Sequence, residues 1–237
     1  MGTLCKKGFL SGNMLKIIGA IFMLIDHIGM FLPEYRILRI IGRLSFPIFA
    51  FKIAEGARYT KNKTKYFLLI FLLGVLCQIV TYIYNKSLYM CILITFSISI
   101  ILIFAYERLK KLVCDKSVPH AEKVRWIMLF SVLVLGVYFI NNHVQIDYGF
   151  WGCMLPLIIS LPNGIEELDN LRVKTALMFL GLVPVCASLN GIQWYSLLSV
   201  FILMMYSGER GKYKMKYFFY VFYPVHLALL QLIFKYI

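Results

Sequence analysis

The chain has 237 residues, of which 61% are apolar or aromatic and 15% charged; its mean hydropathy is +0.78 and its formal net charge +14. A soluble domain carries roughly 45–50% apolar residues, so this composition excludes a soluble enzyme, a disordered tail and a secreted disulfide scaffold. Stretches 17–25, 66–83 and 126–140 contain no charged residue and read as parts of membrane-spanning helices, which need about 20 residues to cross the hydrocarbon core.

Nine spans are expected, over 14–32, 37–57, 66–84, 90–105, 126–140, 148–161, 175–190, 192–206 and 217–236, in one all-α bundle forming a single domain, 1–237. The basic residues alternate between the connections. One side takes Lys6, Lys7 and Lys16, then Arg58, Lys61, Lys63 and Lys65, the cluster between about 106 and 125, Arg172 with Lys174, and Arg210 to Lys216. The other side takes Arg36, Arg39, Arg43, Lys86 and Lys235, and Lys52 falls within the second span. The positive-inside rule then puts the N-terminus inside and the C-terminus outside. The excess positive charge therefore reflects topology, and no nucleic-acid partner is expected. No cleavable signal peptide or myristoylation pattern stands out near Met1-Gly2.

In the first span, Asp26-His27 places two ionisable groups where lipid penalises them, which makes them functional-site candidates. Successive helical residues point about 100° apart, so each is expected to meet a group on another helix. Arg39 and Arg43, at the same outer depth, suit Asp26; the pairing leaves His27 as a neutral base. The second span holds Pro47, expected to kink it. It also holds Lys52, Glu55 and Arg58 at helical i,i+3 spacing. Glu55 sits near the inner surface beside Arg58, Lys61, Lys63 and Lys65, a basic rim able to hold donor phosphates and a pattern that ordinary inner loops also show. Asp147-Tyr-Gly149 opens the sixth span, and Tyr223-Pro-Val-His226 puts a second imidazole inside the ninth. The six cysteines are scattered without a Cys-x-x-Cys pair, and the four histidines lack zinc spacing, so no metal is expected. Nucleotide-binding glycine loops and the G-x-S-x-G elbow are absent as well.

Leu24-Ile-Asp-His-Ile-Gly29, Ile41-Gly-Arg-Leu-Ser-Phe-Pro-Ile-Phe-Ala-Phe51, Ala54-Glu-Gly56, Asp147-Tyr-Gly149 and Phe222-Tyr-Pro-Val-His-Leu227 resemble the TraX family in order and spacing. The resemblance runs from about Leu15 to Leu229. Lys52 stands at a usually aliphatic position, and Cys91 where an Asn is expected ahead of Thr95. That family is named for a membrane protein that acetylates pilin, and it is similar to wider transmembrane acyltransferases with a histidine in an early span. The resemblance implies an acetyltransferase of the bacterial cytoplasmic membrane. Its donor would be cytoplasmic acetyl-CoA, and its acceptor an amine or hydroxyl of a peptide, a pilin-like protein or a glycan at the outer face. His27 would be the base, with Asp26 and Arg43 completing the catalytic group. Arg39, Glu55, Arg58, Asp147, Tyr223 and His226 would hold substrate or donor. Membrane lipid is the expected surround, and the sequence leaves the oligomeric state open. The same buried groups would also serve a small permease or a membrane chaperone for an exported peptide or glycan.

Overall fold

A computed structural model describes residues 8–212 and 215–235. Lys6, Lys7, Cys5 and Lys214, and the end of the ninth expected span at Tyr236, lie outside the described residues. Ten α-helices follow in order: α1 (Gly12–Phe31), α2 (Arg36–Gly42), α3 (Ser45–Tyr59), α4 (Lys63–Asn85), α5 (Ile92–Cys114), α6 (His120–His143), α7 (Gly149–Ser160), α8 (Leu171–Leu189), α9 (Ser199–Met204) and α10 (Lys216–Lys235). A 3-10 helix, Gly191–Leu198, precedes α9. Beyond helices, the described residues contain only isolated β-bridges, Leu10 with Tyr206 and Met90 with Ile146.

Short polar side chains start several helices. Ser11 caps α1 by accepting from the Met14 amide at 3.3 Å, Asn62 caps α4 through Lys65 at 2.8 Å, and Asn170 caps α8 through Val173 at 3.0 Å. Each satisfies an amide that the first helical turn leaves unpaired.

Helix, partly 3-10 over 192–206, fills most of each of the nine expected segments, but nine full-length spans do not result. Five helices have the length and apolar character to cross a membrane: Gly12–Phe31, Lys63–Ile83, Ile92–Cys114, His120–His143 and Leu171–Leu189. Large apolar side chains stay exposed along them, among them Leu72, Ile83, Val132, Leu135 and Leu180. Lipid would cover these faces. The basic connection expected between about 106 and 125 is mostly helical, because α5 runs on to Cys114 and α6 begins at His120.

The second segment departs from expectation. It is two short helices, α2 and α3, broken at Arg43 and Leu44, ahead of Pro47 rather than at it. Pro47 stands in the first turn of α3, where its missing amide has no helical acceptor to lose.

The chain divides into two compact units, Met1–Lys52 with Pro162–Ile237, and Ile53–Leu161. In the first, α1 and α2 cross closely because glycines face each other's helices. A methyl group at Gly29 would lie 2.8 Å from Leu38 Cβ, and one at Gly42 would lie 2.6 Å from Asp26 Cα. Gly19 likewise admits Ile48 and Phe49 of α3, and the Ser45 hydroxyl donates to the Gly19 carbonyl at 2.9 Å. Small residues allow such backbone approach where apolar packing against lipid gives no preference between helices.

In the second unit, α5 packs between α4, α6 and α7. The Ser99 hydroxyl reaches the Cys153 carbonyl at 2.8 Å, and Lys63 pairs with Glu107 at 2.6 Å.

Gly42→Ala is expected to drive a Cβ into the backbone at Asp26 and to destabilise the first unit by about 1–3 kcal/mol. Thermal unfolding in detergent checks this, with Gly136→Ala, where nothing lies within 4 Å of the added carbon, as the neutral comparison.

Candidate functional site

The α1–α2 crossing sets Asp26 against two arginines. Arg39 Nη1 donates to Asp26 Oδ2 at 2.8 Å and to the Asp26 carbonyl at 3.0 Å. Arg43 Nη2 donates to Oδ1 at 2.5 Å and Oδ2 at 2.6 Å. The Asp26 and Arg43 side chains are 14% and 13% exposed, so water screens little of this attraction. Arg39 sits on the last turn of α2, and Arg43 directly follows that helix. Arg43 keeps α-helical backbone angles and its amide still donates to the Arg39 carbonyl at 3.2 Å, so i,i+4 spacing turns both guanidiniums toward one carboxylate. The expected Asp26–Arg43 pair is present, and Arg39 joins it.

His27 faces elsewhere. Its Nδ1 lies 2.7 Å from Nε2 of His226, and the rings stand 4.9 Å apart at 21°. His226 is 5% exposed, and its own Nδ1 lies 2.7 Å from the Phe222 carbonyl one turn back on α10. A carbonyl only accepts, so His226 Nδ1 carries a hydrogen. In the neutral ring, His226 Nε2 is then an acceptor, and His27 Nδ1 must be the donor. That leaves the lone pair of neutral His27 on Nε2, which has no hydrogen-bond partner among the described residues. The tautomer is thereby set from a backbone carbonyl through two imidazoles. Tyr223 packs edge-on against both rings, at 6.4 Å from His27 and 5.5 Å from His226. Pro224 removes one backbone rung of α10 beside this pair.

A residue that sequence reasoning passed over completes the group. Gln193, on the 3-10 helix after α8, is 2% exposed, and its Oε1 lies 3.5 Å from Arg43 Nη1. Asn190 and Gly191 both take positive φ, 55° and 56°, and so turn the chain from α8 into this helix. The Asn190-Gly191 step is the one sequence signal for it, a turn within what read as a gap between spans.

Six of the candidate residues, Asp26, His27, Arg39, Arg43, Tyr223 and His226, therefore gather in the first unit. Glu55, Arg58 and Asp147 belong to the second. There, the Arg58 guanidinium lies 5.0 Å from the Tyr59 ring. Asp147 secures the loop before α7: its Oδ1 accepts from the Tyr89 hydroxyl at 3.0 Å and its carbonyl from Thr95 at 2.8 Å. Its amide donates to the Met90 carbonyl at 3.0 Å. Lys52, the last residue of the first unit's α3 segment, donates to the Tyr206 hydroxyl at 3.2 Å.

Apolar helices with exposed aliphatic faces, enclosing a carboxylate, two guanidiniums and two imidazoles, define a helical membrane protein with a polar interior site. The chain belongs to the TraX family, whose model, described as TraX protein, matches residues 11–234. An uncharacterized protein of Rickettsia prowazekii (strain Madrid E) is 45% identical over 76 residues, covering 32% of this chain and 29% of that protein. The probable fimbrial assembly protein FimC, serogroup H1, of Dichelobacter nodosus is 24% identical over 244 residues, covering 93% of this chain and 94% of its own. No solved structure matches.

Asp26→Asn would leave Arg39 and Arg43 facing each other without their shared carboxylate, an expected loss of about 3–5 kcal/mol. Arg43→Gln should cost less, since Arg39 still neutralises Asp26. Thermal unfolding of the two variants in detergent measures the order, and equal losses would contradict a shared carboxylate.

Proposed function

We propose that this protein is a membrane-embedded acetyltransferase. It would carry an acetyl group from cytoplasmic acetyl-CoA to an amine or hydroxyl at the outer face of the bacterial cytoplasmic membrane. The observation that carries the reading is the hydrogen-bonded His27–His226 pair, which leaves His27 Nε2 as a base beside the Asp26–Arg39–Arg43 cluster. Family membership supports the reaction class, and the name of the Dichelobacter relative favours a fimbrial or pilin-like acceptor.

His27 Nε2 takes the proton from the acceptor's N–H or O–H as that atom bonds to the acetyl carbon. The C–S bond then breaks, its electron pair passes to sulfur, and His27 returns the proton to the thiolate, so that free CoA leaves. His226 steadies the imidazolium by accepting from Nδ1 throughout. Two guanidiniums facing one carboxylate keep positive charge near the reacting centre, which favours the oxyanion formed at the acyl carbon. In the N-inside orientation His27 stands about 22 Å along α1 from its first residue, on the outer half. Arg58, with Lys61, Lys63 and Lys65, stays the proposed basic rim for the CoA phosphates with Glu55 beside it as a donor-side contact, and Asp147 and Tyr223 proposed contacts of the acceptor.

The word assembly in that relative's name also suits a chaperone or small permease for an exported peptide. Labelled acetyl-CoA separates the readings: purified protein that transfers the label or binds CoA tightly is the enzyme, and one that does neither is not.

His27→Ala is expected to lower acetyl transfer about 10²–10⁴-fold with little change in CoA affinity. His226→Leu should give a smaller loss, because it frees the tautomer without removing the base. Single-turnover kinetics with labelled acetyl-CoA measure both, and near wild-type turnover of the alanine variant would confine His27 to structure. A reporter fused after Ile237 should be active only outside the cell; a cytoplasmic signal would reverse the depth assigned to His27.

A further inference from the structure

We infer that Gln193 is a binding residue for the acyl carbonyl oxygen, and that its side-chain amide nitrogen is the donor; the inference rests on the acyl-transfer reading. Arginine only donates hydrogen bonds, so the atom that Gln193 turns to Arg43 Nη1 is its oxygen, at 3.5 Å. The amide nitrogen therefore points away from Arg43. It is buried, and it has no hydrogen-bond partner among the described residues. The whole residue is 2% exposed.

A buried amide donor left without an acceptor is costly, and an apolar side chain of similar shape would be cheaper at the same place. The Oε1 contact does not offset that cost, because 3.5 Å is at the outer limit of a hydrogen bond. Backbone contacts hold the position independently: the Gln193 amide donates to the Asn190 carbonyl at 3.2 Å, and the Cys186 thiol donates to the Gln193 carbonyl at 3.3 Å. The side chain is thus dispensable for the fold of the 3-10 helix and is held with a donor to spare.

What such a donor takes is an oxygen with a lone pair. Arg43 is joined to Asp26 on one side and to Gln193 on the other, so one guanidinium separates the donor from the carboxylate that precedes His27 in the chain. Among the atoms of an acyl transfer, the carbonyl oxygen fits that position. It needs acceptor contacts in the thioester, gains negative charge as the tetrahedral carbon forms, and returns to a neutral carbonyl when the C–S bond breaks.

Gln193→Met keeps length and removes the donor, while Gln193→Glu keeps shape and turns a carboxylate toward Arg43. Full-length protein in detergent is measured for thermal unfolding and for binding of acetyl-CoA and of CoA. The methionine variant should melt at or above wild type, bind CoA unchanged, and bind acetyl-CoA about 2- to 10-fold more weakly. The glutamate variant should bind acetyl-CoA more weakly still, through repulsion of the acyl oxygen, and it carries the test if the methionine variant fails to fold. Equal losses for both ligands, or unchanged acetyl-CoA affinity, overturn the assignment while leaving acyl transfer standing. A methionine variant that melts lower with both affinities intact also overturns it, because the nitrogen then holds a structural water. Wild-type protein that binds neither ligand overturns the acyl-transfer reading and this assignment with it.

Discussion

Burying a carboxylate in an apolar bundle is feasible only when opposite charge meets it at hydrogen-bond distance, and in this protein the Asp26 carboxylate meets two guanidiniums. Much of the first unit is arranged to allow it. Gly29 and Gly42 let α1 and α2 approach within backbone contact. Arg43 lies one helical turn on from Arg39, with its amide on the Arg39 carbonyl, so both side chains leave one face and reach the same carboxylate. The chain breaks only beyond Arg43, once both arginines are in place.

The same crossing fixes what its neighbours do. With Asp26 committed to arginines, His27 points away from it and finds its partner on α10. The polarity of that contact comes from the far end: the Phe222 carbonyl requires a hydrogen on His226 Nδ1, and each ring then dictates the tautomer of the next. A carboxylate often holds a histidine from behind; here a second imidazole stands behind His27. Gln193 extends the group on the other side of Arg43. Two chains of contacts thus start from adjacent residues of α1, one from Asp26 through the arginines to Gln193 and one from His27 through His226 to the Phe222 carbonyl.

The family match and the polar interior draw on the same residues. The TraX match covers nearly the whole chain, and the residues that carried the resemblance at Asp26-His27, Gly42-Arg43 and Tyr223-Pro-Val-His226 are those the first unit gathers. Glu55-Gly56 and Asp147-Tyr-Gly149 lie in the second unit, where local packing accounts for part of their pattern. Gly56 makes room for the Tyr66 hydroxyl, which bonds the Ile53 carbonyl at 3.4 Å. Tyr148 and Gly149 both take positive φ, 60° and 62°, at the turn into α7.

The sequence by itself determined the class of protein, its largely helical apolar segments and the candidacy of Asp26, His27, Arg39 and Arg43. Those properties are local: hydropathy summed over about 20 residues decides a span, and a charge inside such a stretch is expensive whatever surrounds it. It misplaced the distortion of the second segment, because Pro47 is a strong breaker in a helix interior and harmless in a first turn. Which of the two applies depends on where the helix begins. Only the tertiary structure decided that His27 pairs with His226, 199 residues away, and that Arg43 faces Gln193, 150 residues away. Such partners share no period, spacing or composition along the chain. They meet because separate helices pack, and packing also set which nitrogen of His27 keeps its lone pair and which atom of Gln193 has no hydrogen-bond partner among the described residues.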